Sequence, residues 1–167
     1  FRHQKKCLRQ VENRYHQKGN FQYSPRKGES TEHKTAKEIL EKNFKSNGYD
    51  TYKEYKLTGS NQTADLITVT PNHSSFQIIE YQKSIIPQED LSMRHQEYLR
   101  LANEIRWLVD DSFLKNGINR KWISQMLSFD QTRLLHLYAL NISEKKLVLL
   151  YQLPLVYQLE SYAIQTI

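Results

Sequence analysis

Apolar positions change period several times along this chain, and the changes mark its elements. Ala36, Ile39, Leu40 and Phe44 recur at three- and four-residue intervals, the spacing of one helix face. Ser30 or Thr31 can cap that helix and Asn47-Gly48 can end it, so a helix is predicted from about residue 31 to Lys45. Thr51–Leu57 alternates weakly as a strand, and Gly59-Ser60-Asn61-Gln62 turns. Two apolar runs follow, 64–70 and 76–82, separated by Pro71-Asn72-His73-Ser74-Ser75, which reads as a β-hairpin loop. Pro87 introduces a second helix running to about Asn103, with Leu91, Tyr98, Leu101 and Ala102 facing in and Arg94 on the same stripe. Glu104–Val109 reads as a strand, which the intervening helix allows to run parallel to 76–82. Beyond Asp110-Asp111 the pattern weakens. It gives a short helix over 120–128, then strands at Leu134–Leu140 and Lys146–Leu153 joined by Asn141-Ile142-Ser143-Glu144. At the other end, Leu8, Val11 and Tyr15 keep helical spacing before a linker at 16–30.

These elements predict an α/β fold, a mixed central sheet flanked by helices. We divide it into a basic arm and linker (1–28), a core (29–112) and a C-terminal α+β extension (113–167).

Within that pattern a few polar residues fall where apolar ones belong. Glu80 and Gln82 close a run that reads as a buried strand, and side chains two apart share a face. A carboxylate there is costly unless it is compensated, and a metal ion is one compensation. Asp65 opens the preceding strand, and Glu32 lies four residues before Ala36 at the start of the inward helix face. Two unit charges about 4 Å apart repel by roughly 4 kcal/mol at an effective dielectric of 20, so grouped carboxylates call for a cation. Mg²⁺ or Mn²⁺ suits oxygen ligands, needs only two or three carboxylates, and can both neutralise a phosphate and acidify a water.

Plainer readings stand beside each of these. Asp65 can end a turn after Gln62-Thr63, Glu80 can pair with Lys83 or Arg94, and Glu32 can be a first-turn residue favoured by the helix dipole. Gln82 has no charge, so its chemical role is limited to orienting a water or a phosphate. His33 and Lys37, four apart on one helix face, are candidate substrate contacts or ordinary surface residues. Arg94, pointing inward, would pair with a site carboxylate or touch phosphate. His3, Cys7 and His16 are too loosely spaced to define a zinc site.

Charge adds a partner. The net charge of +6 is concentrated in residues 1–28, where eight Lys/Arg oppose the single acid Glu12; the remainder is close to neutral. Basic arms grip phosphate backbones without reading sequence, although a solvated helix face or another acidic partner fits the same charge. One cysteine excludes an internal disulfide. No apolar run reaches the roughly 20 residues of a membrane span, so a cytoplasmic protein is expected. The chain opens at Phe1 rather than Met, as a fragment would.

The site residues also carry a resemblance. Glu29-Ser30-Thr31-Glu32-His33-Lys34-Thr35-Ala36-Lys37 resembles the ES-x-EH-x-x-x-K opening of the CoiA-like competence proteins. Ala64-Asp65-Leu66 and Ile79-Glu80-Tyr81-Gln82-Lys83-Ser84 resemble that family's R-AD-V and iEfQ-x-S segments. Arg94, Tyr98 and Arg106-Trp107-Leu108 resemble its R-x-x-x-Y helix and W-I-L strand. The resemblance spans roughly residues 29–110. It implies a restriction-endonuclease-like PD-(D/E)xK core, with Glu32, Asp65 and Glu80 as metal ligands and Gln82 as the fourth active-site residue. It also implies a DNA nuclease acting in transformation and recombination, with competence or recombination proteins as partners. Two departures stand out. Gln62-Thr63 replaces the family's Arg before Ala-Asp, and only Cys7 remains of the cysteine-rich segment that often precedes the core. A DNA-binding module that does not cut, and a restriction- or defence-type endonuclease on the same core, are the competing readings.

Overall fold

The computed structural model describes residues 28–57, 60–102, 104–115, 126–129, 135–153 and 163–166. The basic arm, its expected helix, and His3, Cys7 and His16 lie outside them.

Helix α1 (Thr31–Ser46) is set by its ends as much as by its stripe. The Ser30 hydroxyl oxygen accepts from His33 N at 3.2 Å, the bond expected of an N-cap. At the other end Gly48 takes φ +80°. Its N–H then reaches the Lys45 carbonyl, and Tyr49 N–H reaches that of Phe44. The Phe44 and Tyr49 rings meet at 5.5 Å, completing a Schellman stop with its apolar contact. Ser30→Ala is expected to cost about 1 kcal/mol of stability, read as a lower urea midpoint at unchanged m-value.

Strands β1 (Asp50–Lys56), β2 (Thr63–Val69) and β3 (Phe76–Gln82) form an antiparallel meander. Helix α2 (Gln88–Leu99) then crosses over to β4 (Glu104–Asp110), which runs parallel to β3. A single-turn helix α3 (Ser112–Lys115) and the short β5 (Ser128–Phe129) precede β6 (Leu135–Asn141), β7 (Lys146–Leu153) and β8 (Ala163–Thr166). The sheet order is β1-β2-β3-β4-β6-β7-β8, with β5 beside β6. Because β4 and β6 pair in parallel, the strands after residue 113 continue the same sheet.

The strand at the middle of the meander and crossover is the most enclosed. All seven residues of β3 are buried, which its near-continuous apolar run foretold. One sheet face packs Leu66, Ile79, Tyr81, Leu108 and Leu140 under Ala36 and Leu40 of α1. The opposite face carries the larger core, with Leu91 and Tyr98 of α2 set among Ile67, Ile78, Trp107, Val109 and Leu137. The result is a mixed α/β sheet flanked by helices.

Two expectations fail locally. The second helix ends at Leu99, before the expected Asn103, because Leu101 and Ala102 N–H turn back to the Tyr98 carbonyl ahead of β4. Residues 127–129 are not helical: Ser128 and Phe129 pair with His136 and Leu135, so sheet contacts override the local pattern. Residues 120–125 of that expected helix lie outside the described residues. No helix among the described residues is long and apolar enough to cross a membrane.

Candidate active site

The β2–β3 ladder runs in register from Val69↔Phe76 to Leu66↔Ile79. The regular pairing stops there, and beyond it, at Asp65 and Glu80, side chains take over from the backbone bonds. Asp65 N donates to Glu80 Oε1 at 3.1 Å, and Tyr81 N donates to Asp65 Oδ2 at 3.0 Å. Each strand thus satisfies a backbone N–H of the other with a carboxylate. Asp65 and Glu80 are 2% and 1% exposed.

Two buried acids side by side need balancing charge, and α2 delivers it. Arg94 Nη2 donates to Glu80 Oε2 at 2.5 Å, while Tyr98 Oη donates to Glu80 Oε1 at 2.8 Å. The guanidinium lies over the Tyr98 and Trp107 rings, 5.9 and 5.7 Å from their centroids. Trp107 stands opposite Glu80 in the β3–β4 register and donates its indole N–H to His95 Nδ1 at 3.1 Å. Burial holds His95 below its ordinary pKa, in keeping with an accepting, neutral ring. From the other side of the sheet, His33 Nε2 meets Asp65 Oδ2 at 3.0 Å, and its ring stands edge-on to Tyr81. The Tyr81 hydroxyl in turn donates to Asp110 Oδ2 at 2.6 Å.

Arg94 does not fully offset the pair. Burial, and then the charge of Asp65, push the Glu80 carboxyl up from 4.5 to about 7, against the opposing pull of Arg94, Tyr98 and the Asp65 N–H. The native state therefore keeps a proton on Glu80 that the unfolded chain has released. Without metal, the stability that this proton contributes is fully present below about pH 4.5 and is lost as pH rises through about 7. Urea midpoints measured in a chelator should fall across that window, and Glu80→Gln should flatten the fall.

The remaining candidates lie around this fork. Gln82 shares the face of Glu80 and donates through Nε2 to Ser84 O at 2.6 Å. Glu32 points outward: its side chain is 56% exposed and pairs with Lys83 Nζ at 2.5 Å, at the rim beside the end of β3. Lys37 is 1% exposed and forms ion pairs with Glu29 and Glu54. It is neither an ordinary surface residue nor placed to receive a phosphate in this conformation. The structure therefore joins Asp65, Glu80, Arg94 and His33, and leaves Glu32 and Lys37 outside the fork.

Among the described residues no three His, Cys, Asp or Glu side chains converge as a ready metal cluster. Asp65 and Glu80 nevertheless fit a divalent cation, because their shared burial leaves negative charge that Glu80 meets by holding a proton. They would be its protein ligands, with water completing the shell.

A family model described as "Competence protein CoiA, nuclease-like domain" matches residues 29–167. The chain belongs to the CoiA nuclease-like domain family. The match begins at Glu29, just ahead of α1, and takes in every strand of the sheet, well past the segment whose motifs carry the resemblance. No curated protein and no solved structure matches the chain.

Sequence reasoning overlooked one contact of the fork and the two acid partners of Lys37 in this CoiA-type domain. Tyr98 reads as core, and it is buried, but its hydroxyl also holds Glu80. Glu29 opens the first motif of the resemblance without a role assigned to it, and Glu54 carries no pattern of its own. The one available signal was Lys37, whose i, i+3, i+7 spacing with Leu40 and Phe44 placed an amine on the inward stripe and implied buried acids to receive it.

Proposed function

We propose that this chain is a metal-dependent deoxyribonuclease on a PD-(D/E)xK-type core, acting in DNA transformation or recombination. The observation that carries the reading is the fork at Asp65 and Glu80, two adjacent buried carboxylates whose burial and mutual charge Arg94 only partly offsets at Glu80. Its order of helix, strand Asp and strand Glu-x-Gln, together with membership in the CoiA nuclease-like family, supports the same core.

When bound at Asp65 and Glu80, Mg²⁺ or Mn²⁺ would neutralise charge on the phosphate and lower the pKa of a water. The chain supplies the rest. His33 and the Tyr81 N–H fix one oxygen of Asp65, and Tyr98 and the Asp65 N–H fix one oxygen of Glu80, so both acids are aimed before substrate arrives. Gln82 orients the attacking water or the phosphate through its carboxamide. Water gives up a proton to solvent as its oxygen bonds to phosphorus, the bond to the leaving sugar oxygen breaks, and that oxygen takes up a proton from solvent. Glu32, at the rim, reaches the ion only by leaving Lys83. The basic arm holds the backbone without sequence preference.

The Glu80–Arg94 pair favours one rival, a module that binds DNA but does not cut, with Arg94 as the permanent counter-ion. Incubation of supercoiled, linear and branched DNA with Mg²⁺, Mn²⁺ or EDTA separates the two. Metal-dependent cutting supports the nuclease, and binding without cutting under any metal refutes it. Cutting confined to one sequence would point to a restriction-type role, and cutting selected by branches to recombination.

A further inference from the structure

Arg94 stands where a cation is required and has the means to leave. We propose that Arg94 is an exchangeable counter-ion, which yields Glu80 to a divalent cation and then binds a DNA phosphate, so that metal and DNA bind cooperatively. The inference rests on the metal-dependent reading above.

Charge and geometry carry it. Among the described residues, ionised Asp65 and Glu80 bring two negative charges; Arg94 returns one, and His33 against Asp65 adds a second only when protonated. A divalent cation on the two carboxylates balances them alone, and the guanidinium then becomes a surplus positive charge. A phosphodiester carries one negative charge, which that surplus matches.

The guanidinium is also built to turn without being lost. It contacts Glu80 through Nη2 and lies over the Tyr98 and Trp107 rings, which can keep it at the site after the carboxylate lets go. Its Nε is buried with no hydrogen-bond partner among the described residues, a donor left over by the Glu80 contact. A phosphate presents several acceptor oxygens, and Arg binds such groups through two parallel N–H bonds. The side chain is 20% exposed, so it lies at the solvent boundary, whereas Glu80 is enclosed at 2%.

The coupling follows from competition for Glu80. Metal binding must displace Arg94, which lowers metal affinity in the absence of DNA. A phosphate that captures the freed guanidinium removes the competitor, and by linkage each ligand then strengthens the other.

Calorimetric titration of Mn²⁺ into the full chain and into Arg94→Met, both at the same pH, tests this. A second arm measures binding of a short oligonucleotide with Ca²⁺ or with EDTA. Arg94→Met should bind Mn²⁺ tighter by on the order of tenfold. Ca²⁺ should raise oligonucleotide affinity several-fold for the native chain and clearly less for the variant, which keeps the cation's own pull on phosphate but lacks the freed guanidinium. Equal or weaker Mn²⁺ binding by a variant with native circular dichroism overturns the exchange. Should Arg94→Met fail to fold, Arg94→Lys serves instead. It keeps the charge and loses the fork, so it should retain metal affinity near the native value but lose most of the Ca²⁺ effect on DNA; an undiminished Ca²⁺ effect overturns the exchange. No Mn²⁺ binding by the native chain overturns the metal-dependent reading itself.

Discussion

Glu80→Gln is expected to reduce DNA cleavage by about three orders of magnitude or more while the chain stays folded. The carboxamide is nearly isosteric, and its oxygen can still accept from Tyr98 Oη and Asp65 N, which help tie β3 to α2 and β2. What it removes is the charge, together with the oxygen that accepts from Arg94 Nη2. A ligand to a catalytic cation contributes several kcal/mol to the transition state, and each 1.36 kcal/mol is a tenfold change in rate. The loss should fall on kcat together with metal affinity. A single-turnover assay at saturating Mn²⁺, with circular dichroism as the control for folding, separates this from a structural effect. A folded Glu80→Gln chain that cuts within tenfold of the native rate would remove Glu80 from the chemistry.

Lys37→Met should have the largest effect on stability, a loss of roughly 3–5 kcal/mol. The lysine is buried between Glu29 and Glu54, whose side chains are 5% and 4% exposed. Removing it leaves two acids in a poorly solvating environment. The cost reaches the fold because Glu29 lies just outside α1 and Glu54 lies in β1, so the lysine fastens the helix to the strand beneath it. Glu54 adopts φ +48°, a left-handed value that a side chain rarely takes, between the regular pairs Lys53↔Leu66 and Tyr55↔Ala64. Replacing both acids by Gln along with Lys37→Met should recover much of the loss, since an apolar or neutral cluster escapes the desolvation cost of the ions. Urea unfolding of the single and triple variants gives the comparison, and an undiminished midpoint in the single variant would contradict the burial argument.

How far the sequence led depends on which residue is considered. The α1 stripe, its caps, β3 and its parallel partner β4 were legible because each rests on local rules: a 3.6-residue period, a Ser before and a Gly after, a continuous apolar run. Glu80 and Gln82 could be placed on one face because a strand alternates. Arg94 could be turned inward because it falls on the stripe of Leu91 and Tyr98. Glu32 lies outward rather than on the inward face because it sits at the helix end, where side chains tilt toward the N-terminus and meet Lys83 beyond the end of β3. The exchange of backbone for carboxylate bonds between Asp65 and Glu80, the kink at Glu54 and the short β5 and β8 depend on neighbours distant in sequence. No local pattern announces them.

The central claim is that Asp65 and Glu80 form a metal-dependent centre for DNA hydrolysis. Its most direct measurement is cleavage of covalently closed circles, single-stranded and supercoiled, by the native chain and by Asp65→Asn, each with Mn²⁺ and with EDTA. The account predicts linearised or nicked product only from the native chain with Mn²⁺. Cutting that survives EDTA, or an Asp65→Asn chain that cuts as well as the native one, would contradict it.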